Sequence, residues 1–112
     1  GFPADVRGVV AVSDDPVSPA LSGVYVAPGH DIPTTQPGGR WYIVNGSSYS
    51  AAHVSGLVAL LRERRPWTGA AAAIVSDRPG GGSIDACATL VRAYGPCDCA
   101  CASPAALADR RR

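Results

Sequence analysis

Short apolar runs rich in β-branched residues occur three times in the first half of the chain, and turn-forming residues follow each of them. β-Branched side chains pack well in sheets, whereas proline, glycine, asparagine and aspartate favour turns, so such runs are typical of buried strands. The pattern predicts strands over residues 6–13, 24–27 and 41–44.

The clearest predicted element is a helix that begins at Ser47 or Ser48 and ends near Arg65, before Pro66. No charged residue occurs over 49–61, so we expect this helix to be buried on all sides and not amphipathic. Burial on all sides requires a sheet and further helices around it. The three predicted strands supply little of that cover.

The last part of the chain predicts two more helices and a tail. An alanine-rich helix is expected over 67–75, a loop over 77–82 and a final helix over 83–94. The tail, residues 95–112, carries cysteine and proline and ends in three arginines, so we expect it to be irregular. The predicted division is therefore a domain over 1–94 followed by this tail.

Composition excludes several classes of function. The chain has 112 residues, enough for one small domain, and no apolar run approaches the ~20 residues of a membrane helix. Ten basic and nine acidic residues give a net charge of +1, which favours neither nucleic acid nor a membrane surface as a partner. All ten basic residues are arginine, so lysine-based nucleophiles are excluded. Methionine does not occur, and we therefore expect further chain before Gly1.

The most reactive predicted position is Ser48, which follows the third strand and the turn Asn45-Gly46-Ser47. At the start of a helix, free backbone N–H groups and the positive end of the helix dipole converge. An oxyanion is stabilised at such a place, as acyl transfer requires. Serine is also a preferred helix cap. The spacing by itself leaves open whether Ser48 is a nucleophile or merely a cap.

Four motifs resemble segments of subtilisin-like serine proteases, in the same order. The longest covers residues 45–61 and reads NGSSYSAAHVSGLVALL; it is similar to the nucleophile motif Gly-Thr-Ser-Met-Ala-Ala-Pro-His-Val-Ala-Gly of that family. Three others resemble its Tyr-Pro-Ala, Ala-Pro-Gly-x-x-Ile and Gly-x-Gly-x-Ile/Val-Asn-Ala segments, at residues 1–4, 26–32 and 81–86. Ser47, Tyr49 and Ala52 depart from the family's Thr, Met and Pro, and leave open that activity has been lost.

The resemblance implies an α/β fold: the C-terminal portion of a three-layer domain with a central, mainly parallel sheet and a buried helix after the nucleophile. It implies a serine endopeptidase in which Ser48 attacks a peptide or protein substrate. By the same resemblance, Asn45 and Gly46 shape the substrate edge and Gly1 lines the specificity pocket. No cofactor is expected in this chain, and calcium is an expectation for the complete domain only.

The resemblance also implies what lies elsewhere. The family's catalytic Asp and His, and its oxyanion-hole Asn, belong to an N-terminal part outside these residues, so we expect the chain alone to be inactive. His53 lies about 140° round the helix and ~7.5 Å along it from Ser48, out of reach, and is expected to be a buried, hydrogen-bonded packing residue. His30, beside Asp31, is not expected to be catalytic. The alternative hypotheses are a non-catalytic structural or interaction module and one chain of a two-chain protease.

Four cysteines, Cys87, Cys97, Cys99 and Cys101, leave three interpretations open. Their alternating spacing does not suit zinc. Disulfides, unpaired thiols and copper(I) binding all remain compatible with the sequence. An exported protein would permit disulfides, and a secreted or periplasmic location is expected.

Overall fold

The computed structural model describes residues 1–16, 22–66 and 69–96. The elements, in chain order, are β1 (Ala11–Ser13), β2 (Val24–Val26), β3 (Ile32–Gln36), β4 (Arg40–Val44), α1 (Ser47–Arg64), α2 (Ala70–Ala73), β5 (Ser76–Arg78), β6 (Gly81–Ile84) and α3 (Ala86–Tyr94). Most of the predicted tail, including Cys97, Cys99 and Cys101, lies outside the described residues, as do the first two residues of the predicted helix over 67–75.

A four-stranded sheet with the order β1-β2-β6-β5 organises the chain. β2 is parallel to both β1 and β6, and only β5 runs antiparallel to its neighbour. Tyr25 at the centre of β2 pairs with Val12 on one side and Gly82 on the other. The architecture is thus mixed α/β with a mostly parallel sheet, as the sequence predicts at this level.

One face of α1 covers the sheet. Its buried residues are Ser50, Val54, Leu57 and Leu61, which lie along one stripe at helical spacing. The buried core joins this stripe to the sheet and to the segment after α2. It consists of Tyr25, Leu57, Leu61 and Ile74.

The expectation that α1 is buried on all sides is wrong for the structure described. The opposite face is exposed, and its members are Ala51, Ala52, Ser55, Gly56, Ala59 and Leu60. A lack of charge did not imply burial, because most of these side chains are small and remove little apolar surface from water when covered. A sheet on one side of a helix covers only the stripe that faces it.

Two predicted strands are confirmed and one is much shorter. β2 and β4 match the runs over 24–27 and 41–44 within one residue. The run over 6–13 is a strand only at β1. Before it the backbone forms successive turns, closed by hydrogen bonds such as that from the Val9 N–H to the Val6 oxygen, and Gly8 has a positive φ of 88°.

Both hairpins differ from expectation. β3 was not predicted; it pairs antiparallel with β4 around the turn at residues 37–39. The predicted loop over 77–82 is wrong, because β5 and β6 pair there around Pro79 and Gly80. A Cβ atom at Gly81 would lie 2.9 Å from the Val24 oxygen, so glycine allows β6 to approach β2. The final helix consequently begins at Ala86, where the Asp85 side chain caps it by accepting from the Ala88 N–H at 2.8 Å.

Candidate active site

Ser48 is exposed in the first turn of α1, directly beyond the turn that ends β4. The helix cap is Gly46, whose φ of 145° favours glycine, and no side chain caps the helix. The interpretation of Ser47 or Ser48 as the cap is therefore wrong. The Ser48 hydroxyl stands where the first N–H groups of the helix have no intrahelical acceptor and the dipole is positive. This environment suits a developing negative charge.

The backbone before α1 is held by a neighbouring segment, residues 27–31, which we call the docking segment. The Gly46 N–H donates to the Gly29 oxygen at 2.8 Å. The Asp31 N–H donates to Asn45 Oδ1, also at 2.8 Å. Asp31 has a positive φ of 53°, a conformation that aspartate tolerates better than most residues. The predicted substrate-edge residues Asn45 and Gly46 are thus both fixed by the docking segment.

Two side chains of α1 bind the same segment from the other side of Ser48. Ser50 Oγ donates to the Ala27 oxygen at 2.8 Å, and the Ser50 side chain is fully buried. His53 Nδ1 donates to the Pro28 oxygen at 3.0 Å. Three successive carbonyl groups of the docking segment therefore accept hydrogen bonds from α1 or its cap. The turn and the first two turns of α1 are held against one backbone segment.

His53 is hydrogen-bonded, as expected, but it is exposed and not buried. His53 lies outside the buried stripe of α1. Because Nδ1 donates to Pro28, the ring is directed toward the docking segment, which agrees with a structural role.

His30 pairs with carboxylates other than the Asp31 beside it. Its Nε2 lies 3.0 Å from Asp15 Oδ1 and 3.3 Å from Asp14 Oδ2. The Asp15 hydrogen bond is the main cause that raises the pKa of His30, with smaller contributions from the charges of Asp14, Asp15 and Asp31; partial desolvation opposes them. Asp14, Asp15 and His30 also have donor atoms within 4.8 Å of one another, the geometry of a possible metal site among the described residues. In this arrangement His30 forms an ion pair with each of the two carboxylates.

Gly1 lies in an exposed turn, with its amino group 3.9 Å from the Asp5 carboxylate. A Cβ atom there would have no neighbour within 4 Å. The structure places Gly1 in the turns before β1, and its role in a specificity pocket remains a prediction. Cys87 is half-buried on α3.

The model of the subtilase family matches residues 17–78, slightly more than half of the chain. The chain belongs to the subtilase family. The match includes the docking segment, the β3–β4 hairpin and all of α1. No curated protein matches the chain. No helix in the described part of this subtilase is long and apolar enough to cross a membrane.

Sequence reasoning missed the contribution of Ser50. The spacing of residues 50, 54, 57 and 61 places Ser50 on the buried stripe, and that was the available signal. Its acceptor could not be read in the same way, because Ala27 lies 23 residues earlier in the chain. Only folding brings these two residues of the subtilase together.

Proposed function

We propose that this subtilase chain supplies the nucleophile, Ser48, of a serine endopeptidase. The observation that supports the proposal is the exposed serine in the first turn of α1, beyond a glycine cap, within the segment that matches the family. Ser48 Oγ attacks the carbonyl carbon of the scissile peptide bond while a histidine takes its proton. The Ser48 N–H stabilises the oxyanion, and the histidine then protonates the leaving amine.

The histidine and the aspartate that orients it are proposed to come from the N-terminal part of the domain, together with an Asn oxyanion donor. The two histidines of this chain are hydrogen-bonded elsewhere, His30 to Asp15 and His53 to Pro28. The 112-residue chain by itself is accordingly proposed to be inactive.

The substrate is proposed to be a peptide or protein that lies along the edge formed by Asn45 and Gly46, with Gly1 at the specificity pocket. The protein is proposed to be secreted or periplasmic. Calcium belongs to the proposal only for the complete domain.

The redox state of the four cysteines follows from mass measurement after alkylation with and without reduction.

A fluorophosphonate probe tests the proposed nucleophile, since it phosphonylates only an activated serine. We expect the product of the complete gene to be labelled at Ser48 and to cleave a chromogenic peptide. Ser48→Ala should abolish both, whereas Ser47→Ala, one residue away and equally exposed, should retain labelling. The 112-residue chain should remain unlabelled.

Labelling at Ser47, or a complete gene product that is folded yet unlabelled, would contradict the proposal. So would rapid labelling of Ser48 in the 112-residue chain, because it would show that no outside histidine is needed.

A second candidate, a non-catalytic interaction module or one chain of a two-chain protease, is favoured by the exposed face of α1. The complete gene separates the two candidates. Asp and His motifs in frame before residue 1 support the single-chain enzyme. A reading frame that starts near residue 1 supports docking to another chain, which co-purification and sequencing of the bound chain would identify.

A further inference from the structure

We propose that Ser50 is a positioning residue for the nucleophile, which it holds in place by tying α1 to the docking segment. This inference rests on the proposed role of Ser48. It concerns a side chain that would not touch the substrate and would act through the backbone on either side of the reactive serine.

The Ser50 hydroxyl is buried and hydrogen-bonded. Ser50 is 0% exposed, and its Oγ donates to the Ala27 oxygen at 2.8 Å. Burying a hydroxyl is unfavourable unless it is hydrogen-bonded, so packing alone would be served as well by alanine. The subtilisin-like motif has alanine at this place, so this chain departs from the motif at Ser50 as well as at Ser47, Tyr49 and Ala52. The hydroxyl contributes a link that an alanine would not supply.

The Ser50–Ala27 hydrogen bond lies close to Ser48 along the chain. Gly46, two residues before Ser48, donates to Gly29; Ser50, two residues after it, donates to Ala27. The two hydrogen bonds therefore bracket Ser48 and attach both sides of it to one short backbone segment. That segment follows β2 directly, and β2 lies inside the four-stranded sheet. The position of Ser48 is thus fixed relative to an interior strand of the sheet.

The docking segment packs tightly against the start of α1. A Cβ atom at Gly29 would collide with Ser50 Oγ and would lie 2.8 Å from the Gly46 oxygen. Gly29 is buried and has no room for a side chain. Removal of the Ser50 hydroxyl leaves the buried Ala27 carbonyl without this donor. It also removes one of the restraints on the turn at residues 45–48.

Loss of positioning should reduce the rate of the chemical step more than the binding of substrate. A displacement of about 1 Å at a reacting group can cost about 10²-fold in rate. We expect Ser50→Ala in the complete gene product to lower kcat and the rate of fluorophosphonate labelling by about 10-fold or more, with KM changed by less than about twofold. Ser55→Ala is the matched control, because the Ser55 hydroxyl donates within α1, to the Ala51 oxygen at 2.8 Å, on the exposed face.

Hydrogen exchange at the Gly46 amide supplies a measurement that does not depend on activity. In Ser50→Ala this amide should exchange faster, while amides near the middle of α1 keep their rates; Ser55→Ala should change neither. Gly29→Ala keeps the Ser50 hydroxyl but introduces a Cβ atom that would collide with Ser50 Oγ and with Asp14 Cβ, so it should displace the docking segment and reproduce the loss of kcat.

An unchanged kcat and an unchanged Gly46 exchange rate in Ser50→Ala would overturn the positioning role. A loss of rate that only follows a lower Tm, with all amides of α1 exchanging faster together, would overturn it as well. If the wild-type gene product is unlabelled at Ser48, the proposed function fails. The Gly46 exchange rates would still decide whether Ser50 holds the turn.

Discussion

His30 lies between two carboxylates, and its charge depends mainly on one of them. The hydrogen bond to Asp15 is the largest cause that raises the pKa of His30 above its ordinary value of 6.5. Because the pKa of His30 is higher in the folded state, the ion pair contributes its full stabilisation at pH values below the pKa of the unfolded chain. This stabilisation is lost as the pH rises through the folded pKa. The pair is exposed and therefore screened by solvent.

For this pair we predict that Asp15→Asn lowers the pKa of His30 toward 6.5. NMR titration of the imidazole protons measures the shift directly. The stability difference between wild type and Asp15→Asn should be larger at about pH 5.5 than at about pH 8, because the imidazolium is more populated at the lower pH. Asp5→Asn, at an acidic residue paired with the N-terminus, is the control. An unchanged titration of His30 in Asp15→Asn would contradict the prediction.

The buried hydroxyl of Thr89 joins α3 to the segment before β5. Thr89 is 0% exposed; its Oγ1 accepts from the Val75 N–H at 2.9 Å and donates to the Asp85 oxygen at 2.6 Å. The same side chain therefore satisfies a backbone donor outside the helix and a carbonyl of its own helix start. The Asp85 oxygen also accepts from the Thr89 N–H at 3.0 Å, so the Val75 N–H is the group that relies on the hydroxyl.

Thr89→Val keeps the size of this side chain and removes its hydrogen bonds. We predict that it lowers the free energy of unfolding by about 1–3 kcal/mol, since the Val75 N–H is left without its acceptor. Thr35→Val, on the exposed side of β3, should change stability by less than about 0.5 kcal/mol. Urea denaturation of both variants measures the difference. Equal effects of the two substitutions would show that the Thr89 hydroxyl is not a necessary link.

In the molecule as a whole, the exposed face of α1 is a surface available to a further part of the domain or to another chain. Gly56 lies on this face, and a Cβ atom there would have no neighbour within 4 Å. In an exposed helix interior, alanine is more favourable than glycine by roughly 0.5–1 kcal/mol. We proposed above that the N-terminal part of the domain completes the active site, and this face is where it would pack.

Gly56→Ala therefore has two expected outcomes. In the 112-residue chain it should raise the free energy of unfolding by about 0.5–1 kcal/mol. In the complete gene product it should give no gain or a loss, because a covered glycine leaves no space for a methyl group. Denaturation curves of both forms, with and without the substitution, make the comparison. The same gain in both would contradict packing on this face.

The sequence alone was sufficient for features that depend on local physics. The bounds of α1, of β2 and of β4 followed from short β-branched runs and from the residues that flank and end elements, since these act within a few positions. The order of four motifs indicated the subtilase family, which the match to residues 17–78 shows.

Only the tertiary structure decided which residues meet. Ser50 with Ala27, and Gly46 with Gly29, join positions 23 and 17 residues apart, and such pairs leave no periodic trace in a sequence. The β5–β6 hairpin was hidden for a related reason, because glycines that suggest a loop are needed here for close approach to β2. Which face of α1 is exposed was also decided by the tertiary structure. Burial depends on what packs against a surface, and composition describes only the surface itself.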